Sequence, residues 1–125
     1  MATLKIYDSI QDQEPSKVYT CYRLTMEIDN KLNALVEETS EIESEIKQIA
    51  SKLTDKSSDE EIKQIKAEIR PLEEKASRLT LDTIRLFFPD FSIDEFNKLD
   101  PYDYQTFIFE IGELRNRILN RAAKN

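Results

Sequence analysis

Histidine and tryptophan are absent from this 125-residue chain, and glycine and cysteine occur once each. Each shortage removes a class of structure or chemistry. Without His the chain lacks the commonest general base, the usual activator of a nucleophile and the commonest metal ligand. A di-iron helical bundle needs Glu-x-x-His pairs, which cannot occur here. A single glycine, Gly112, rules out a Gly-rich phosphate loop. One Gly and four Pro also leave too few turn residues for a sandwich or barrel and favour long helices. Cys21 has no second cysteine to pair with in the chain. No apolar run reaches membrane-spanning length, and no apolar leader opens the sequence, so the chain reads as intracellular with no membrane partner. We therefore expect no catalytic residue, no cofactor and no metal site.

Charge is abundant instead. Charged residues make up 34% of the chain, and the net charge is −7. Such a chain is repelled by phosphates and anionic lipids unless it carries a local basic patch, so nucleic acid is not an expected partner. One short basic cluster, Arg115, Arg117, Arg121 and Lys124, has two readings. It complements the dipole at the end of a helix, or it forms a small docking spot for an anion.

The hydrophobic residues, 39% of the chain, are regularly spaced, which argues against disorder. Ile28, Leu32, Leu35, Thr39, Ile42, Ile46, Ile49 and Leu53 alternate at spacings of four and three, a heptad seam with one polar position. The spacing predicts a helix from about Leu24 to Leu53, which at ~1.5 Å per residue is ~45 Å long. A polar turn, Thr54 to Ser58, follows. Ser58 and Glu61 then make a capping-box signature, and the seam resumes through Ile62, Ile65, Ile69, Leu72, Ala76 and Leu79. Two heptad helices joined by a short turn are expected to fold back on each other. Pro71 removes one backbone hydrogen bond and is expected to interrupt and kink the second arm.

Eight of the eleven aromatic residues lie between Phe87 and Phe109. Ser92 with Glu95 is another capping box, flanked by Phe91 and Phe96 in staple positions. Asp100 can cap a last helix with Pro101 at its first position. That helix is predicted to run to about Arg121 with Tyr104, Phe107, Ile108, Ile111, Leu114 and Ile118 on its apolar face. Gly112 within it implies close packing against another backbone. At the other end, Leu4 and Ile6 alternate with polar residues as in a short strand. Lys17–Tyr22 fits either a strand or the start of the helical repeat.

The expected fold class is thus all-α, a single domain over residues 1–125, with a short β element within 1–23. A long antiparallel coiled-coil hairpin over 37–79 protrudes from an aromatic-rich helical head made of 80–125 and about 18–36. The hairpin seam has two readings: its arms simply bury each other, or it also recruits copies of itself or an outside helix. The aromatics Phe87, Phe91, Phe96, Tyr104 and Phe107 read as core. Phe88, Tyr102 and Phe109 fall off those faces, and if exposed together they make an apolar patch that binds a protein partner.

The run Phe87-Phe88-Pro89-Asp90-Phe91-Ser92-Ile93-Asp94-Glu95-Phe96 is followed by Leu99-Asp100-Pro101-Tyr102-Asp103-Tyr104 opening a helix. Together they resemble the C-terminal part of tail assembly chaperones of long-tailed bacteriophages. Lys17-Val18-Tyr19 leading into Arg23-Leu24-Thr25 resembles the start of those proteins. The two blocks cover about half the chain, and the long heptad hairpin is not a general feature of the family. The resemblance implies a non-catalytic homo-oligomer in the host bacterial cytoplasm, absent from the mature virion. It would coat the tape-measure protein and keep it soluble until the tail tube closes round it. It also implies a longer form made by a backward ribosomal frameshift, with which the ending Ala123-Lys124-Asn125 is compatible. Two other readings stand beside it: a structural coiled-coil adaptor or oligomerisation module, and an acidic inhibitor that mimics nucleic acid.

Overall fold

The computed structural model describes the backbone of residues 1–124 and the side chains of residues 1–117. Ile118, Arg121, and the chain end Ala123-Lys124-Asn125 therefore lie, as side chains, outside the described residues. The chain is mostly helical. Strands β1 (Ala2–Ile6) and β2 (Lys17–Cys21) are followed by helices α1 (Met26–Ala50), α2 (Asp59–Phe87), α3 (Ile93–Asn97) and α4 (Pro101–Lys124). The fold is thus not purely α: the ambiguous Lys17–Cys21 stretch is a strand, antiparallel to β1, with Leu4 opposite Tyr19. The chain divides into two compact units, one of residues 1–30 with 84–125 and one of residues 31–83.

The first unit is built on the sheet and α4. Ala2, Leu4 and Ile6 alternate with the outward Thr3 and Lys5, and all three are buried with Phe91, Phe107 and Ile111. A two-stranded sheet is not stable alone and needs such a packing partner. α4 packs beside β1. Its Glu110 accepts a hydrogen bond from the Thr3 amide at 3.2 Å. Arg115 of the same helix donates to Asp29 at 2.6 Å. One member of the expected basic cluster is thus neutralised within the fold, while Arg117 is exposed.

The helix starts follow their cap residues. Ser92 caps α3 in a complete capping box with Glu95. The Asp100 carboxylate accepts from the Tyr102 amide at 2.8 Å, with Pro101 at the first position of α4. Ser58 accepts from the Glu61 amide at 3.2 Å at the start of α2. Each such cap satisfies an amide that the helix itself leaves open.

In the second unit burial follows the heptad positions. Between Lys31 and Ile49 only Leu32, Leu35, Thr39, Ile42, Ile46 and Ile49 are buried or half-buried. Between Asp59 and Leu79 only Ile62, Ile65, Ile69, Leu72, Ala76 and Leu79 are. The seam residues Ile28 and Leu53 are half-buried as well. The polar seam residue Thr39 is satisfied by donating to the Leu35 carbonyl at 2.8 Å, the back-bond open to a helical Thr. One ion pair joins the two helices here, Lys75 Nζ to Glu38 Oε1 at 3.9 Å.

Two sequence expectations need correction. Pro71 does not interrupt α2, which runs through it from Asp59 to Phe87. Pro71 is exposed and lacks one amide of the helix ladder. Gly112 does not mark a close approach, because a Cβ built there meets nothing within 4 Å. Its backbone is ordinary helix, so glycine is simply the weaker helix former. Gly112→Ala is expected to raise stability by ~1 kcal/mol, read as a higher urea midpoint at unchanged slope. A destabilised variant would show that the position is packed after all.

Candidate protein-binding surface

Of the three aromatics expected to form an exposed patch, Phe88 belongs elsewhere. It is 9% exposed. Its ring lies 5.0 Å from Tyr19 and 5.6 Å from Phe107, centroid to centroid. The cause is local. α2 ends at Phe87, and the chain turns so that the Phe88 carbonyl accepts from the Phe91 amide at 3.0 Å. That turn directs Phe88 inward with Phe87 and Phe91. Phe87 meets Phe107 edge-on at 5.4 Å and Phe91 meets Tyr19 edge-on at 5.4 Å, the geometry that aromatic quadrupoles favour. Phe88 is therefore a core residue and not a docking residue.

Tyr102 and Phe109 remain outside, 73% and 69% exposed. They are seven residues apart on α4, two turns or ~10.5 Å along one face. Gln105 and Thr106 lie between them and are exposed, and Thr106 is tied back to the Tyr102 carbonyl at 3.0 Å. The open space at Gly112 and the exposed Glu113 continue the same face. The opposite face carries the buried Phe107, Ile111 and Leu114. The two exposed rings are therefore presented on a helix whose other side is anchored in the core. Scattered exposed apolar residues are normal, but two large rings in line on a fixed helix offer anchor points for a partner.

A polar network joins β2 and α3 in the same unit. The Tyr19 hydroxyl donates to Glu95 Oε2 at 2.6 Å, and Lys17 Nζ lies 3.6 Å from that oxygen and 4.6 Å from the Tyr19 ring centre. Burial raises the Glu95 carboxyl, but the hydrogen bonds from Tyr19 and Ser92, with Lys17 nearby, outweigh it and hold the carboxyl below its ordinary 4.5. A depressed carboxylate contributes stability that is present above its unfolded value and lost as pH falls through its folded value. The stability gap between wild type and Glu95→Gln is thus expected to shrink as pH drops below 4.5. Urea titrations at a series of pH values read it, and a gap that widens on acidification would contradict the assignment.

A cleft of about 660 Å³ lies between the β1–β2 loop and the α3–α4 junction, with Asp8, Asp12, Lys98, Asp100 and Asp103 in its lining. Burial, then the neighbouring Asp100, pushes the Asp103 carboxyl up. Lys98 bonds Asp8 at 3.3 Å across the cleft. Among the described residues no group of three or more Cys, Asp or Glu side chains is placed to hold a metal ion. No helix among them is long and apolar enough to cross a membrane. Comparison of the chain with protein-family models, curated proteins and solved structures finds no match.

Proposed function

We propose that the chain is a non-catalytic, helix-binding tail assembly chaperone of the kind its sequence resembles, acting on the phage tape-measure protein in the host bacterial cytoplasm and left out of the virion. The observation that carries this reading is the pair Tyr102 and Phe109, exposed in line on a helix whose other face is core. Their seven-residue spacing matches the repeat of an apolar-striped helix, so such a client can lay its stripe along α4. The net charge of −7 keeps a coat of such molecules soluble.

The second unit supports a coiled-coil hairpin within this reading. In heptad lettering Glu38 and Lys75 both fall at g, and antiparallel coiled coils bring g opposite g. Their ion pair sets a register in which the two residue numbers of a facing g pair sum to the same value. The same register places Lys31 opposite Asp82 and Lys52 opposite Glu61, both attractive, with Glu45 opposite Glu68 as the single repulsion. In that register Ile42 would face Ile69, Ile46 would face Ile65 and Ile49 would face Ile62 as core layers. The burial pattern favours a structural adaptor equally, and only the client test separates the two.

Co-expression with the phage's own tape-measure protein is that test. Wild type is expected to move the client into the soluble fraction. The double variant Tyr102→Ser/Phe109→Ser is expected to lose the rescue with helix content unchanged, since both side chains are exposed. Full rescue by this variant would move the site to the hairpin. No rescue by wild type would leave the adaptor reading.

A further inference from the structure

We propose that the hairpin is half of a four-helix bundle, and that the same segment of a second copy completes it with the two tips together. The inference rests on the hairpin reading above and names how copies of the chain associate. It begins with the six seam positions inside α1 and α2 that lie nearest the tip, Ile42, Ile46, Ile49, Ile62, Ile65 and Ile69, with Leu53 beyond the end of α1. All six are isoleucine, filling both a and d positions. Isoleucine at both positions favours assemblies of more than two helices, because its branched Cβ fits the wider core better than the two-helix seam. Four of these six, Ile46, Ile49, Ile62 and Ile69, are only half-buried within one chain.

The two flanks of the seam differ. The g flank carries the Glu38–Lys75 pair and is charged at each position from Lys31 to Lys52 and from Glu61 to Asp82. The e flank is poorer in charge, with Val36, Ala50 and Thr80 among its members. Val36 is 53% exposed and is, among the described residues, the one large apolar side chain of the segment 31–83 left in that state. Glu43 and Lys66, which face each other across the e flank in this register, form no ion pair within the chain. The e flank is thus the one that holds the exposed Val36 and that no ion pair closes among the described residues.

In a bundle with both tips at one end, α1 of one copy lies antiparallel to α2 of the other and their e positions meet. Glu43 then faces Lys66 of the second copy, Val36 faces its Glu73, and Ala50 faces its Asp59. No like charges meet, and the symmetry repeats the Glu43–Lys66 contact twice. A client helix offers no such built-in match, so a second copy is the occupant.

Sedimentation of the full chain tests this. Wild type is expected to dimerise. Glu43→Lys and Lys66→Glu each place like charges at both contacts and are expected to weaken the dimer by roughly tenfold per contact. An equimolar mixture of the two variants pairs opposite charges at both contacts and is expected to restore a heterodimer. A contact made only within each chain gives no restoration on mixing, and that result overturns the proposal. So does a wild type that stays monomeric at high concentration. Spin labels at Glu41→Cys and Arg70→Cys in a Cys21→Ser background, diluted with unlabelled chain, show which reading has failed. A monomer with the labels within about 20 Å keeps the hairpin and loses the bundle. A separation above about 40 Å, as in one continuous helix, removes the hairpin and the bundle with it.

Discussion

Ile65→Asp is expected to unfold the segment 31–83. Ile65 is one of four seam side chains in that segment that are buried, with Leu32, Ile42 and Leu79. It lies midway along the isoleucine stripe of α2, between Ile62 and Ile69. A carboxylate placed there either stays charged without a partner or takes up a proton, and each course costs about 3–5 kcal/mol. A domain of this size holds only about 5–15 kcal/mol in total, so a large part of the helix signal should be lost. Gln64→Asp, one residue away and exposed, is expected to change stability by no more than ~0.5 kcal/mol. Far-ultraviolet circular dichroism with urea titration measures both. Equal effects at the two positions would mean that the heptad stripe is not the packing face.

Phe107→Ala should have a comparable effect on the other unit. Phe107 is fully buried, with Phe87 and Phe88 at 5.4 and 5.6 Å from its ring. Truncation removes the ring's transfer energy, leaves a cavity lined by two further aromatics, and costs about 3–5 kcal/mol. Phe109→Ala, two residues on, removes the same atoms from an exposed site and should leave stability within ~0.5 kcal/mol. The contrast separates the two faces of α4, since one ring is held in the core and the other is exposed. A large loss in Phe109→Ala would show that its ring is already covered within the fold.

What could be read from the residues was whatever a short period encodes. The seam was legible because heptad spacing is itself the geometry of a helix stripe, and burial falls on those positions between Lys31 and Ile49 and between Asp59 and Leu79. The caps at Ser92 and Asp100 were legible because a cap is decided within three residues. Phe88 was not, since it lies one residue past the end of α2, where helical phase no longer says which way a side chain points. The β1–β2 pairing was only half legible. The alternation of Leu4 and Ile6 is local, but their partners, Tyr19 and Lys17, lie more than ten residues on. The Tyr19–Glu95 hydrogen bond spans 76 positions and has no local signature at all. Gly112 misled because a helical glycine is compatible with both a close contact and an open space, and only the neighbours decide.

In the proposed function α4 holds a client helix through the face bearing Tyr102 and Phe109. Hydrogen exchange of the chain, alone and in the presence of the tape-measure protein, addresses it directly. The account predicts added protection over Pro101–Glu113, where a bound helix would exclude water from an outer face that is open in the free chain. Protection confined to 31–83, or none anywhere, would contradict it.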